Sequence, residues 1–308
     1  MNNDKTIPSW VYKLLILGAA LIWGLSFVVM KGALDVMAPA WLLGIRFALT
    51  ALILALVWRK PLVKHLNVSH LGLGLVLGLA EGTGYLFQNY GLVETTPGRN
   101  AFLTATYCVM VPFMWWIVAR RKPRPLQLAA AVVCVIGVGL LSLADGESLL
   151  FALGTGDVLS LVSAVFFGIH IVIVSSVGKA YDIATLTVLQ MLGISALCFF
   201  WAVVSGVPFD MPQLNMDFVV QMGYLVIFAS CIAMGIQNIA QQHMSAPQAS
   251  LLLSTESVFG VFFGVVLYGE PLTLRLVGGF ALIFIAIVMS ELAPELKGLG
   301  RQASRELP

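Results

Sequence analysis

Within an otherwise apolar stretch near residues 71–91, Glu81, Tyr85, Gln88 and, less closely, Asn89 recur at three- to four-residue spacing. On a helix, side chains three and four apart share a face, so these residues form one polar stripe. An ionisable group inside a membrane-spanning helix costs about 2.5–3.5 kcal/mol on insertion scales, so it normally faces a cavity or a partner. A carboxyl so placed has two chemical uses: it can take up and release a proton, or it can pair with a substrate amine. The alternative for Glu81 is a static partnership with a buried base.

Three more deep ionisable groups stand out, namely Arg46, His170 and Glu256. Glu256 reads either as a second coupling carboxylate or as the buried partner of Arg46. Arg46 lies in the outer half of its apolar stretch, from which a long side chain can snorkel to the surface, or alternatively bind a carboxylate. His170 titrates near neutral pH when unperturbed, and equally serves as an interhelical donor. Trp23, Tyr85 and Tyr107 are deep aromatics suited to an organic solute or a cation, and to plain packing.

The elements that hold these groups follow from composition. Of 308 residues, 59% are hydrophobic and 10% charged, too little polar surface to cover a soluble globule. About 20 apolar residues cross the hydrocarbon as a helix. Ten such stretches are read near 12–31, 38–58, 71–91, 98–119, 125–144, 154–178, 184–205, 217–241, 247–268 and 272–292. They are apolar all round rather than alternating, which excludes membrane β-strands and predicts an all-α membrane protein. The first follows Lys5 and Lys13 as a signal peptide would, but its core is too long, and it is kept as a permanent span. Cys108, Cys134, Cys198 and Cys231 fall inside the stretches and match no metal site or disulfide framework.

Basic residues near span ends set orientation, because cytoplasmic loops retain them. With both termini cytoplasmic, the inner segments hold Lys5, Lys13, Arg59, Lys60, Lys64, Arg120, Arg121, Lys122, Arg124, Lys179, Lys297, Arg301 and Arg305. The outer loops hold Asp35, Glu94, Asp145, Glu147, Asp210 and Glu270, with only Lys31, Arg99 and Arg275 opposing them. This bias accounts for the basic segments without nucleic acid. Trp10, Tyr12, Trp41, Trp58, Trp115, Trp116 and Trp201 lie near span ends, as interfacial anchors do.

The second five stretches repeat the pattern of the first five. Gln88-Asn89, Thr96-Pro97, Asn100 and Thr104 match Gln237-Asn238, Ala246-Pro247, Ser250 and Ser254 with a one-residue gap. Ile22-Trp23-Gly24 matches Phe166-Phe167-Gly168, while stretches 2 and 7 are weakly patterned. An odd number of spans duplicated in tandem gives two inverted halves, 1–145 and 154–292, followed by a cytoplasmic tail, 293–308. The polar stripe then has a counterpart in Ser230, Met234, Gln237 and Asn238, facing it across a pseudo-twofold axis. In this alignment Glu256 matches Thr106, Glu81 matches Ser230 and His170 matches Ser26. Pro112 permits a kink in stretch 4, and Gly74, Gly78 and Gly82 permit close helix contact in stretch 3.

These features resemble the EamA family of the drug/metabolite transporter superfamily. The resemblance is carried by Ala20-Leu21-Ile22-Trp23-Gly24, Ile45-Arg46-Phe47 and the run Thr95-Thr96-Pro97-Gly98-Arg99-Asn100-Ala101-Phe102-Leu103. Glu256-Ser257-Val258-Phe259, Gly269-Glu270-Pro271-Leu272-Thr273 and Gly278-Gly279 complete it. It implies ten spans in two inverted repeats, with a central cavity lined mainly by spans 1, 3, 4, 6, 8 and 9. One departure is Glu256-Ser257, where the family often has Glu-Pro, so the proline that would break that helix is absent.

Inverted halves with polar residues near the midplane point to a secondary transporter working by alternating access. The expected activity is export of amino acids or related metabolites, with proton coupling; the alternative is a multidrug exporter of lipophilic cations, and a third class is a solute channel. No P-loop, H-E-x-x-H pair or nucleophile elbow occurs in the sequence, so neither ATP hydrolysis nor an intramembrane enzyme is expected. The site residues expected to bind solute or couple protons are Trp23, Glu81, Tyr85, Gln88, Tyr107, His170, Gln237 and Glu256. No cofactor or metal is expected. The partners are a small organic solute, protons and the lipid bilayer, in a monomer or homodimer of the bacterial inner membrane.

Overall fold

A computed structural model describes residues 8–120, 122–142, 153–177, 180–209, 215–274 and 277–289. Lys5, Arg121, Lys179, Lys297, Arg301, Arg305, Asp145, Glu147, Asp210, Arg275 and the tail 293–308 lie outside the described residues. Among the described residues every regular element is helical, consistent with apolar stretches whose backbone groups must be satisfied internally. In chain order these are α1 (Ser9–Leu34), α2 (Pro39–Val57), α3 (Arg59–His65), α4 (Val68–Glu94), α5 (Pro97–Ala105), α6 (Tyr107–Ala119) and α7 (Pro125–Ser142). They continue as α8 (Thr155–Val177), α9 (Ile183–Val204), α10 (Met216–Tyr224), α11 (Ala233–Gln241), α12 (Ala246–Ser254) and α13 (Glu256–Phe263). The last is α14 (Val277–Met289). A π-helical segment, Leu225–Ile232, joins α10 to α11, and a second, Gly264–Tyr268, follows α13.

Among the described residues each of the ten apolar stretches contains helix, but they differ in reach. With the broken helices taken as single spans, seven among the described residues are long and apolar enough to cross a membrane. The helix α4 qualifies only together with α3, from which it bends by 118°. Pro125–Gly137 and Val277–Met289 are shorter apolar helices.

Local chemistry explains the ends. The side chains of Asn67, Asp182 and Asn215 accept from the backbone N–H groups of His70, Thr185 and Phe218 at the starts of α4, α9 and α10. Proline stands in the first turns of α2, α5 and α12, where its missing N–H costs nothing.

The interruption in stretch 4 falls at Thr106 rather than at Pro112, through which α6 runs. Stretch 9 breaks at Thr255 without a proline. Both threonines do the same thing: Thr106 Oγ1 donates to Leu103 O at 2.6 Å, and Thr255 Oγ1 donates to Leu252 O at 2.6 Å. A hydroxyl that bonds back to the preceding turn competes with the helical ladder and accompanies both breaks, although the same bond at Ser26 and Ser163 leaves α1 and α8 unbroken.

Packing is built on small residues. α4 lies along α8 and α9, and a Cβ added at Gly78 would come within 2.8 Å of Gly193 Cα. The glycines at four-residue spacing thus let α4 and α9 approach at the backbone. The Trp23 indole donates to Ala229 O at 2.8 Å, and the Tyr224 hydroxyl to Ile22 O at 2.8 Å, tying α1 to the α10 and π-helical region.

Candidate solute-binding site

The polar face of α4 borders a cavity of about 60 Å³ that is partly open. Its walls come from many elements: Trp23 and Ser26 of α1, Arg46 of α2, Glu81, Tyr85, Gln88 and Asn89 of α4, and Tyr107 of α6. Phe27 of α1, Phe167 and His170 of α8, Gln237 of α11 and Glu256 of α13 complete the polar and aromatic lining. All eight residues singled out from the sequence, including Trp23, Tyr107 and His170, therefore border one cavity.

Glu81 is the centre of a buried network. Its Oε2 accepts from Gln190 Nε2 of α9 and lies 3.7 Å from His170 Nε2. Gln190 Nε2 is also 3.1 Å from His170 Nε2. Behind it, Asn238 Nδ2 of α11 donates to Gln190 Oε1 and to Thr187 Oγ1, each at 3.0 Å. Glu81 and His170 are 3% and 1% exposed, so the contacts of this network are made away from water, where a hydrogen bond is electrostatically stronger than on a surface.

Glu256 has a different setting. Tyr107 Oη donates to Glu256 Oε1 at 3.1 Å, joining α6 to α13 across the site. Arg46 is not its ion-pair partner, nor does it snorkel. It is 2% exposed, with Nε donating to Ser230 Oγ at 2.7 Å and Cζ 4.9 Å from the Phe47 ring centroid and 5.4 Å from that of Tyr85. The aromatic faces and the hydroxyl of the π-helical segment draw the guanidinium inward, against the pull of the surface.

The amides both pack and line. Gln88 Nε2 donates to Thr104 Oγ1 at 3.3 Å, and Gln237 Nε2 to Gln241 Oε1 at 3.2 Å. Asn89 Oδ1 is buried with no hydrogen-bond partner, an acceptor that a solute N–H or O–H can meet. Asn238 is absent from the lining and serves the Gln190 network instead. Tyr85 Oη stands 4.0 Å from Met234 Sδ, so the two stripes meet at these matching residues.

The match between halves needs no gap. The pairs Tyr85 and Met234, Gln88 and Gln237, the caps Thr96 and Ser245, and the breaks Thr106 and Thr255 share one constant offset. The counterpart of Glu256 is thus Tyr107, its own hydrogen-bond partner, and not Thr106. Pro97 and Pro247 misled the sequence register because a proline is tolerated at either of the first helical positions.

Sequence reasoning missed Gln190 and Thr187. Their only signal was an amide and a hydroxyl three residues apart on the weakly patterned stretch 7. It also missed the inward turn of Arg46, for which Phe47 beside it was the clue.

The start of α5 closes one end of the bundle. Arg99 binds Asp157 of α8 through two bonds of 2.7 and 2.5 Å. Glu270 Oε1 accepts from the Gly98 backbone N–H at 2.7 Å, an anion at a helix N-terminus. Lys31 Nζ donates to the carbonyls of Leu92, Val93 and Thr95 at the end of α4. Burial pushes the Glu270 carboxyl above its usual range, opposed by its bonds to Gly98 and Thr96. Among the described residues no cluster of three His, Cys, Asp or Glu side chains is placed to hold a metal.

A solved crystal structure of another protein has the same fold, with a TM-score of 0.68 at 16% identity, over 92% of this chain and 98% of that one. An uncharacterized transporter of Archaeoglobus fulgidus is 29% identical over 272 residues, 88% of this chain and 83% of the relative. The uncharacterized transporter YvbV of Bacillus subtilis is 25% identical over 296 residues, 92% and 93% of the two chains. The model of the EamA-like transporter family matches twice, at residues 10–143 and 154–292. With both halves covered in this way, the chain is a multi-pass membrane protein belonging to the EamA-like transporter family.

Proposed function

We propose that this protein is a secondary carrier that exports amino acids or related metabolites by alternating access through the central cavity, with Glu81 taking up and releasing the coupling proton. The observation that carries the reading is one cavity walled from both halves, holding two buried carboxylates, a histidine and an arginine near the middle of the bundle. Buried ionisable groups around such a space are costly for mere packing and suit a solute pathway.

In this reading the chain crosses ten times as two inverted repeats, with both termini cytoplasmic in a bacterial inner membrane. The double family match supports the duplication. Packing supports the symmetry: α4 against α8 is matched by α11 against α1, α6 against α8 by α13 against α1, and α5 against α13 by α12 against α6. Gly24 abuts Phe259 of α13 as Gly168 abuts Met114 and Val111 of α6. Alternating access then requires the Arg99–Asp157 and Glu270–Gly98 contacts, both made between the halves, to break as the cavity opens at that end.

The alternative cargo is a lipophilic cation, favoured by the carboxylates of Glu81 and Glu256 beside Trp23, Tyr85 and Phe167. The test of the carrier is counterflow in proteoliposomes. Labelled solute outside should accumulate transiently against unlabelled solute inside, and the rate should saturate. Flux that rises linearly with concentration and shows no counterflow would identify a channel instead.

A further inference from the structure

Arg46 poses a question that the proton-coupling groups do not answer. Its guanidinium is 2% exposed and stands in the cavity wall. Removing a cation from water costs several kcal/mol, which pairing usually offsets. Here the neighbours are the Ser230 hydroxyl, on Nε at 2.7 Å, the rings of Phe47 and Tyr85, the Tyr85 hydroxyl, which is hydrogen-bonded to the guanidinium, and Glu81, which acts on it only through its field. A desolvated cation–π contact offsets less of that cost than a full counter-ion would. Among the described residues no carboxylate lies within ion-pair distance of Arg46. Both cavity carboxylates are engaged elsewhere, Glu81 by Gln190 and Glu256 by Tyr107.

We propose that Arg46 is the anion receptor of the cavity and that the solute carries a carboxylate which docks on it. The inference rests on the carrier reading and narrows it to a solute class. With Nε committed to Ser230 and the Tyr85 hydroxyl also hydrogen-bonded to the guanidinium, the remaining terminal N–H groups supply donors for a carboxylate. Ser230 and the two rings fix the plane of the fork, so little side-chain entropy remains to be lost on binding. A carboxylate docked there supplies the counter-ion that no side chain contributes at ion-pair distance. A cation without a carboxylate leaves Arg46 uncompensated and adds its own charge beside it. The cavity therefore selects zwitterionic or anionic solutes over simple amines.

The test uses purified full-length protein and a panel of α-amino acids, each beside the amine lacking its carboxylate and the acid lacking its amine. Ligands that bind the folded state raise the thermal midpoint. The expected result is stabilisation by amino acids and at least a tenfold weaker affinity for the matching amines. In Arg46→Gln that preference disappears, and in Arg46→Lys part of it remains. Amines binding as tightly as their parent amino acids, an undiminished preference in Arg46→Gln, or a panel in which no carboxylate-bearing probe binds would each overturn the assignment. Should Arg46→Gln fail to show a cooperative unfolding transition, the wild-type preference and the Arg46→Lys variant decide. Amines that show counterflow with no dependence on Arg46 would sink this inference and leave the carrier intact, whereas absence of counterflow for every solute would sink the carrier reading itself.

Discussion

Tyr107 and Glu256 are the first residues of α6 and α13, and the Tyr107 hydroxyl donates to Glu256 Oε1 at 3.1 Å. Each follows a threonine at which its helix breaks, so the same local event in the two halves brings both side chains to the cavity. Chemistry then differs at matching positions: one half supplies the donor and the other the acid.

Tyr107→Phe removes that donor and leaves a buried acceptor short of a partner, a loss of about 1–3 kcal/mol. The thermal midpoint should fall, and Glu256→Gln added to Tyr107→Phe should cost less than it does alone. Strict additivity in this double-mutant cycle would show that the two residues do not act together.

At the α4–α9 crossing the backbone leaves no room for a side chain. A Cβ at Gly78 would lie 2.7 Å from Gln190 O and 2.8 Å from Gly193 Cα, whereas one at Gly18 meets nothing within 4 Å. Gly78→Ala should therefore destabilise by about 1–3 kcal/mol through overpacking. Gly18→Ala should be neutral or slightly stabilising. Equal midpoints for the two variants in a thermal melt would contradict the packing described.

Gln190 joins Glu81, His170 and Asn238, and its loss strands all three. Gln190→Leu should cost about 1–3 kcal/mol, the range for leaving buried polar groups without a hydrogen-bond partner. Gln190→Asn, which keeps an amide, should recover part of it. A Leu variant as stable as wild type by thermal unfolding would mean that the network contributes nothing.

Glu270 gives a pH dependence with a definite sign. Burial raises its carboxyl above the ordinary 4.5, so the folded protein binds the proton more tightly than the unfolded chain does. Its contribution is fully present below the ordinary value and is lost as pH rises through the raised one. Glu270→Gln keeps an acceptor for the Gly98 N–H and removes the titration. Melting from about pH 4.5 upward should show a smaller decline of stability in the variant than in wild type. An identical slope in both would remove Glu270 from the account.

Much of this was legible from residue types alone. An apolar run long enough to span hydrocarbon has one solution, a helix, and Glu81, Tyr85 and Gln88 at helical spacing could only share a face. What the sequence hid depended on side-chain direction and on competition between weak signals. Arg46 turns inward because Phe47, Tyr85 and Ser230 outweigh the surface, and two of those three come from other helices. Gln190 gave no periodic stripe, since its partners lie on α4, α8 and α11. The helix breaks follow threonine hydroxyls bonded to the preceding turn, whereas Pro112 and the absent proline after Glu256 pointed elsewhere. Among the described residues seven helices meet the length and apolarity needed to cross, and α4 meets them only together with α3, across a bend of 118°.

The central claim is that Glu81 couples proton movement to solute movement, and one measurement addresses it most directly. Solute transport into proteoliposomes is followed across a series of imposed pH gradients for wild type and for Glu81→Gln. The account predicts a wild-type rate that follows the gradient and a variant whose residual exchange ignores it. Full transport by Glu81→Gln with an unchanged pH profile would contradict it.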